Sequence, residues 1–395
     1  MNKNCQTNYN PWMHYFALLT AIVTFLLLGL GGLVTSHEAG MSVPDWPNTY
    51  GYNMFLFPIS KWVGGVFYEH THRLLASAVG LLTVALAVWF WRREPRRWLK
   101  KLGVWAVVLV IAQGVLGGLR VRWHLDELGI FHGTVAQLFF ILVCAFALFT
   151  SRWWLGQPTM DLLERGSVSR RTSPLESDAQ TTPQSQGGWS AAGHRPVLRE
   201  EWAPVPAGLR TLVLATTVLI FCQLMLGATM RHQHAGLAIP DFPLAYGQCW
   251  PDTSPEAVAK YNAARVEIVS ENSITAAQII LQMVHRLMAL AILLAVAACA
   301  GQAWRQLGGR DLLTKVTAGW LALILAQIGL GIATVLTNKA ADIATLHVMV
   351  GALSLVTGAL WCVISFRRQV STTDFAPEET ISGVLKTQTA MAGNK

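Results

Sequence analysis

Eight apolar stretches, each long enough to cross a bilayer as a helix, constrain this chain more than any other feature. They run over about 12–35, 68–91, 102–121, 128–150, 208–231, 274–301, 315–337 and 342–366. A hydrocarbon core of about 30 Å needs about 20 apolar residues in a helix. Within that core every backbone N–H and C=O must be satisfied inside the segment. The expectation is an all-α integral membrane protein with eight transmembrane helices. Composition points the same way: of 395 residues 53% are hydrophobic and only 13% charged, where a soluble domain carries about 25% charged residues. The first stretch is too long for a cleaved signal and is expected to span the membrane.

The net charge of +8 is therefore no argument for nucleic acid. Surplus Lys and Arg in a membrane protein marks the cytoplasmic loops. Arg92, Arg93, Arg96, Arg97, Lys100 and Lys101 follow the second stretch, Arg152 the fourth, Arg305 and Arg310 the sixth, and Arg367 and Arg368 the eighth. All fall on one side, which predicts cytoplasmic termini in a multi-pass, bacterial-type cell membrane protein. Six cysteines, at 5, 144, 222, 249, 299 and 362, form no close pair. They predict neither a disulfide framework nor a zinc site.

An internal repeat organises the chain. GGLVTSHEAGMSVPDWPNTYG at 31–51 matches GATMRHQHAGLAIPDFPLAYG at 227–247. Further on, His72-Arg73-Leu74 matches His285-Arg286-Leu287, Ala112-Gln113 matches Ala326-Gln327, and His132 matches His347. Matches in one order across four helices predict two pseudo-symmetric four-helix bundles. Both halves begin and end inside, so the repeat is parallel, about an axis along the membrane normal. The expected organisation is an N-terminal half at 1–151, a flexible cytoplasmic linker at 152–206 rich in Ser, Pro, Gln and Gly, a C-terminal half at 207–368, and a tail at 369–395.

Four intramembrane histidines carry the chemistry: His72, His132, His285 and His347. A polar group in a lipid-embedded helix is costly and points to function. Each lies one to three turns from the outer end of an even-numbered helix. Two imidazoles on facing helices suit the two axial positions of a haem iron, with His72 paired to His132 and His285 to His347. Interhelical hydrogen bonding is the alternative, an adequate account of one histidine and a poor one of four in register. Zinc or copper would want more converging ligands.

The halves differ at one position. Glu69 precedes His72 by three residues, on one helix face, and Gln282 stands in the equivalent place. A carboxylate beside one haem only predicts that this site does chemistry and that the other holds a redox cofactor. An interfacial carboxylate favoured by the helix dipole is the alternative. Arg73 and Arg286 suit haem propionates or interfacial anchoring, and both readings stay open. Asp45 and Asp241 are expected to fix turns, Gln113 and Gln327 to bond between helices, and His70 to be interfacial. His37, His232 and His234 are read as facing a haem edge without ligating it.

Taken together, the GGLVTSHEAGMSVPDWP loop, the EHTHR and HGT segments and their second-half counterparts resemble haem A synthase. The resemblance covers nearly all of the apolar chain. It implies oxidation of the C8 methyl of haem O, by hydroxylation, a second oxidation and loss of water, to the formyl group of haem A. It further implies that His72 and His132 hold substrate haem O, that His285 and His347 hold haem b as electron relay, and that Glu69 stabilises positive charge at the methyl carbon or manages protons. A haem O synthase and the cytochrome oxidase assembly pathway follow as partners, beside the lipid bilayer, an unidentified electron donor, no nucleic acid, and room for a homo-oligomer. Some members of the family carry a cysteine pair in the first outer loop. Residues 36–67 here contain no cysteine, so a mechanism needing that disulfide does not apply. A two-haem, quinol-linked cytochrome b would use the same histidines without needing Glu69. A transporter with histidine proton relays would favour helices broken at mid-membrane, and none is evident.

Overall fold

The computed structural model describes residues 9–156, 204–265 and 273–373. Most of the expected linker (157–203), most of the expected tail (374–395), Cys5 and His194 lie outside the described residues. Among those described, all regular structure is helical. Eight helices are long and apolar enough to cross a membrane, so the chain is a multi-pass membrane protein. Four stand in the first half: α1 (Pro11–Ser36), α2 (Gly64–Arg93), α3 (Arg97–Trp123) and α4 (Asp126–Thr150). A short α5 (Arg152–Leu155) follows. The second half has α6 (Ala207–His232), a short α7 (Pro255–Ala263), α8 (Ala276–Leu307), α9 (Leu312–Leu336) and α10 (Ala341–Thr373), the last running past the expected boundary at 368.

Local sequence sets the ends. Asn10 caps α1 by accepting from the Met13 amide, and Pro11 occupies the first turn, where a missing N–H does no harm. Helix α2 stops at Glu94, just before Pro95. Thr275 and Gln278 form a capping box at the start of α8, and Asp311 caps α9. Buried threonines inside the helices return their hydroxyls to the carbonyl four residues back, as Thr24 does to Thr20 and Thr317 to Leu313. That keeps these hydroxyls satisfied where water is absent.

Residues 9–155 and 206–363 form one compact unit. In the first half α1 packs on α2 and α4, and α3 packs on α2 and α4. In the second half α8 packs on α6 and α9, while Trp361 of α10 donates to the Leu313 carbonyl (3.2 Å) and the Thr317 hydroxyl (3.0 Å) of α9. The halves meet where α4 packs on α6 and where α10 crosses α1. There Met349 lies over Gly29 and Thr345 over Gly32, so closely that a side chain on either glycine would collide. Large apolar side chains such as Leu81, Trp91 and Leu294 point outward, as expected of surfaces facing lipid rather than water. The connections after α1 and α6 are long. The end of the bundle that carries them is called the loop face below.

Candidate functional site

On the loop face, two turns of the same design stand above the two halves. Asp45 accepts from the amides of Tyr50 (2.7 Å) and Gly51 (2.8 Å), and Tyr50 donates its hydroxyl to the Ser42 carbonyl (2.6 Å). Asp241 accepts from Tyr246 (2.8 Å) and Gly247 (2.9 Å), and Tyr246 donates to the Ala238 carbonyl. The bridges Thr49–Tyr52 and Ala245–Gln248, the cis bonds before Pro47 and Pro243, and the positive φ of Tyr50 and Tyr246 repeat as well. The two aspartates thus fix turns, as their Asx chemistry predicted. Burial, the largest influence on Asp45, pushes its carboxyl up. The Gly51 and Tyr50 amides, with Arg73 nearby, outweigh it and leave the group below its ordinary range. Burial pushes the Tyr246 phenol up to about 12, so it stays a donor.

Each turn is pinned to the even helix beneath it by the residues that flank the first histidine. Glu69 is 4% exposed. It accepts from the Val43 amide (2.9 Å) with one oxygen and from Arg73 (2.6 Å) with the other. Arg73 also donates to the carbonyls of Val43 (2.9 Å), Asp45 (2.7 Å) and Asn48 (3.0 Å). In the second half Gln282, 2% exposed, accepts from the Ile239 amide (2.6 Å) and donates to the Ile239 and Gly236 carbonyls. Arg286 donates to the carbonyls of Asp241 (2.8 Å) and Leu244 (3.1 Å). The guanidinium donors of both arginines converge on loop carbonyls. Position 69/282 was recognisable in the sequence only as a polar residue near a histidine. Its partner, a loop amide 26 residues away in the first half, was not.

The four histidines fall into two neighbourhoods. His72 stands on α2 and His132 on α4, both packed against α1 and α3, while His285 on α8 and His347 on α10 both stand against α9. Each imidazole lies edge-on against a glycine of the preceding odd-numbered span: His72 against Gly31, His132 against Gly117, His285 against Gly227 and His347 against Gly331. A Cβ on these glycines would stand 3.1, 3.3, 3.4 and 3.1 Å from the respective Cε1. The Nδ1 atoms of His72, His132 and His285 are buried without a hydrogen-bond partner, while that of His347 lies 3.1 Å from the Gln327 carbonyl. A buried polar atom left unpaired costs about 1–3 kcal/mol. No cluster of three His, Cys, Asp or Glu side chains that could hold a metal ion exists among the described residues. Two imidazoles per site, in a clearing made by glycines, match the donor set for axial haem ligation.

The remaining candidates have ordinary partners. His70 is fully buried. Its Nδ1 lies 3.2 Å from the Thr49 hydroxyl and its ring packs on Phe57 and Trp62. His37 stacks on Tyr68, His234 approaches Glu38 at 4.0 Å, and His232 packs on Gly129. Arg231 crosses from α6 to the Gly32 carbonyl and the Ser36 hydroxyl of α1. Cys249 is free and exposed. Helix α7 was missed from sequence, although Ser254-Pro255 is a start signal and the Ser254 hydroxyl does cap the Ala257 amide. Asn262 near its end pairs with both backbone groups of Ile274 (2.9 and 2.7 Å), and Tyr261 stacks on Tyr246.

A family model described as cytochrome oxidase assembly protein matches residues 14–180 and 186–359. Similar curated proteins include the heme A synthase of Lysinibacillus sphaericus, 24% identical over 90% of this chain and 95% of that protein. Those of Shouchella clausii (26% identical; 82% and 86% covered) and Symbiobacterium thermophilum (28%; 80% and 83%) are similar over nearly the same extent.

Proposed function

The chain belongs to the cytochrome oxidase assembly protein family, and we propose that it is a haem A synthase, an oxidoreductase that converts the C8 methyl of haem O to the formyl group of haem A. The observation that carries this reading is the doubled histidine pair, each imidazole set against a glycine on the neighbouring span. His72 and His132 hold the substrate haem O, and His285 and His347 hold haem b. A haem b bound there supplies a one-electron redox centre.

The asymmetry at 69/282 supports a reading in which the chemistry belongs to the first half. Both residues hold a loop amide with a side-chain oxygen, and Gln282 does so without a charge. Pinning the loop therefore does not require the negative charge of Glu69. We read that charge as serving the reaction, by electrostatic stabilisation of positive charge at the methyl carbon or by taking up its protons. The loop it pins carries Trp46, whose indole packs on Gly118, next to the glycine that faces His132.

The basic residues between spans support a reading with the loop face outside and both termini in the cytoplasm. The packing of α4 on α6 and of α10 on α1 exchanges when the halves are interchanged, which supports a pseudo-twofold axis along the membrane normal. Haem O would come from a haem O synthase, and the product would go to a terminal oxidase. The test is to express the chain with a haem O synthase, extract the non-covalent haems and identify them by chromatography and mass. Haem A, absent from cells lacking the chain, establishes the reaction. Haem b alone, with haem O untouched, would favour the electron-carrier reading.

A further inference from the structure

The repeated Ala-Gln pairs of α3 and α9 each lead into one of the glycines that face a histidine. Gln113 is followed four residues later by Gly117, and Gln327 by Gly331. In an α-helix the carbonyl of residue i already accepts from the amide of residue i+4. Its second lone pair is normally screened by the side chain at i+4. With glycine there, the carbonyl is open sideways. His347 uses that opening: Nδ1 lies 3.1 Å from the Gln327 oxygen while its Cε1 edge faces Gly331. His132 turns the same Cε1 edge to Gly117, but its Nδ1 has no hydrogen-bond partner.

We propose that Gly331 is a positioning residue that turns the Gln327 carbonyl into the acceptor for the Nδ1 proton of His347, so that Nε2 is the nitrogen presented for coordination. Which ring nitrogen ligates is set by the hydrogen bond the other one makes. Such an outer partner both orients the ring and raises its donor strength. A side-chain acceptor would need its own packing and desolvation, whereas a glycine four residues beyond a carbonyl supplies one from backbone already present. Gly31 and Gly227 give His72 and His285 the same edge-on clearance, but the Nδ1 atoms there reach no carbonyl. The two ligands of the second site are therefore inequivalent, and the one on α10 is the stronger donor.

The inference rests on the haem reading of the site, and the test separates the two. Gly329 and Gly114 lie on the same helices with nothing within 4 Å of an added Cβ. Gly329→Ala is therefore the control for Gly331→Ala. The purified chains, carrying the haem b they retain, are compared by haem content, low-spin electron paramagnetic resonance spectrum and midpoint potential. Gly331→Ala is expected to weaken haem retention about tenfold, alter the low-spin signal and raise the potential, because a weaker imidazole donor stabilises ferric iron less. Gly329→Ala should match wild type on all three. A second measurement does not depend on how the alanine packs. In His347→Gly, added imidazole should restore the low-spin spectrum well, and 1-methylimidazole, which lacks the second N–H, poorly. Identical behaviour of the two alanine variants, or equal rescue by the two imidazoles, overturns the proposal. A wild-type chain that retains no haem overturns the functional reading first, and this one with it.

Discussion

Replacing Glu69 by Gln separates a folding role from a chemical one, because the second half already shows how a glutamine fits this place. The substitution leaves an oxygen for the Val43 amide, as Gln282 keeps one for Ile239, and its new amide can donate to loop carbonyls as Gln282 does. Arg73 loses one charged acceptor and keeps the three loop carbonyls. A hydrogen bond to a charged group contributes about 1.5–3 kcal/mol net, and removing the carboxylate also removes its own desolvation penalty. Glu69→Gln should therefore cost about 1–2 kcal/mol. Glu69→Ala leaves the Val43 amide unpaired and the Arg73 charge uncompensated, and should cost about 3–5 kcal/mol. Removing an electrostatic contributor from a dry site lowers rates by about 10²–10³-fold. The assay is the haem A to haem O ratio in cells that also make haem O, read beside haem b content and thermal unfolding in detergent. The expected result for Glu69→Gln is haem b retained, melting near wild type, and haem A reduced by at least a hundredfold. Wild-type haem A from this variant would refute the catalytic reading of the charge. Loss of haem b and of cooperative melting would refute the claim that Gln282 and Glu69 anchor their loops interchangeably.

Three further outcomes follow from the loop geometry. Arg73→Lys and Arg286→Lys keep the charge but lose the planar fork, so amide hydrogen exchange should quicken within 43–51 or 239–247 respectively, with the transmembrane amides unchanged. Asp45 is held below its ordinary value of 3.8. A depressed carboxylate contributes stability that is complete above the unfolded value and lost as pH falls through the folded one. Pepsin cleavage in the first turn should therefore start only below pH 3.8, and Asp45→Asn should shift that onset upward. Arg231→Met removes the donor that joins α6 to α1. It should lower the melting temperature while leaving haem retention by the second half intact, as read from haem b content after purification.

Much of the architecture was legible in the sequence, because membranes leave few options. Eight apolar runs must become eight helices, since nothing else satisfies their backbone in hydrocarbon. Observed and expected bounds differ mainly where helices continue into polar flanks, as α10 does to Thr373. The repeat aligned the histidines, the turns and position 69/282 in advance, because equivalent residues in duplicated halves meet equivalent surroundings. The Asp45 and Asp241 turns were legible for a local reason: their hydrogen bonds span five and six residues.

Contacts between distant segments were not legible. Periodicity shows which face of a helix is polar but not what that face meets. The sequence left Arg73 and Arg286 with two destinations, and the loop carbonyls 25–30 residues away in the first half emerged only once the chain was folded. His70, read as interfacial, is fully buried because the 53–63 segment folds back to bring Phe57 and Trp62 against it. The glycines that face the histidines are spread among many others in apolar runs. Sequence cannot separate Gly331 from Gly329, whereas in the folded chain one meets an imidazole and the other open space. Hydrophobic length and duplication thus determined the helices, the repeat and the candidate ligands. Packing across helices decided which imidazole each glycine clears and which loop each arginine holds, because those depend on interatomic distances between segments that are not neighbours along the chain.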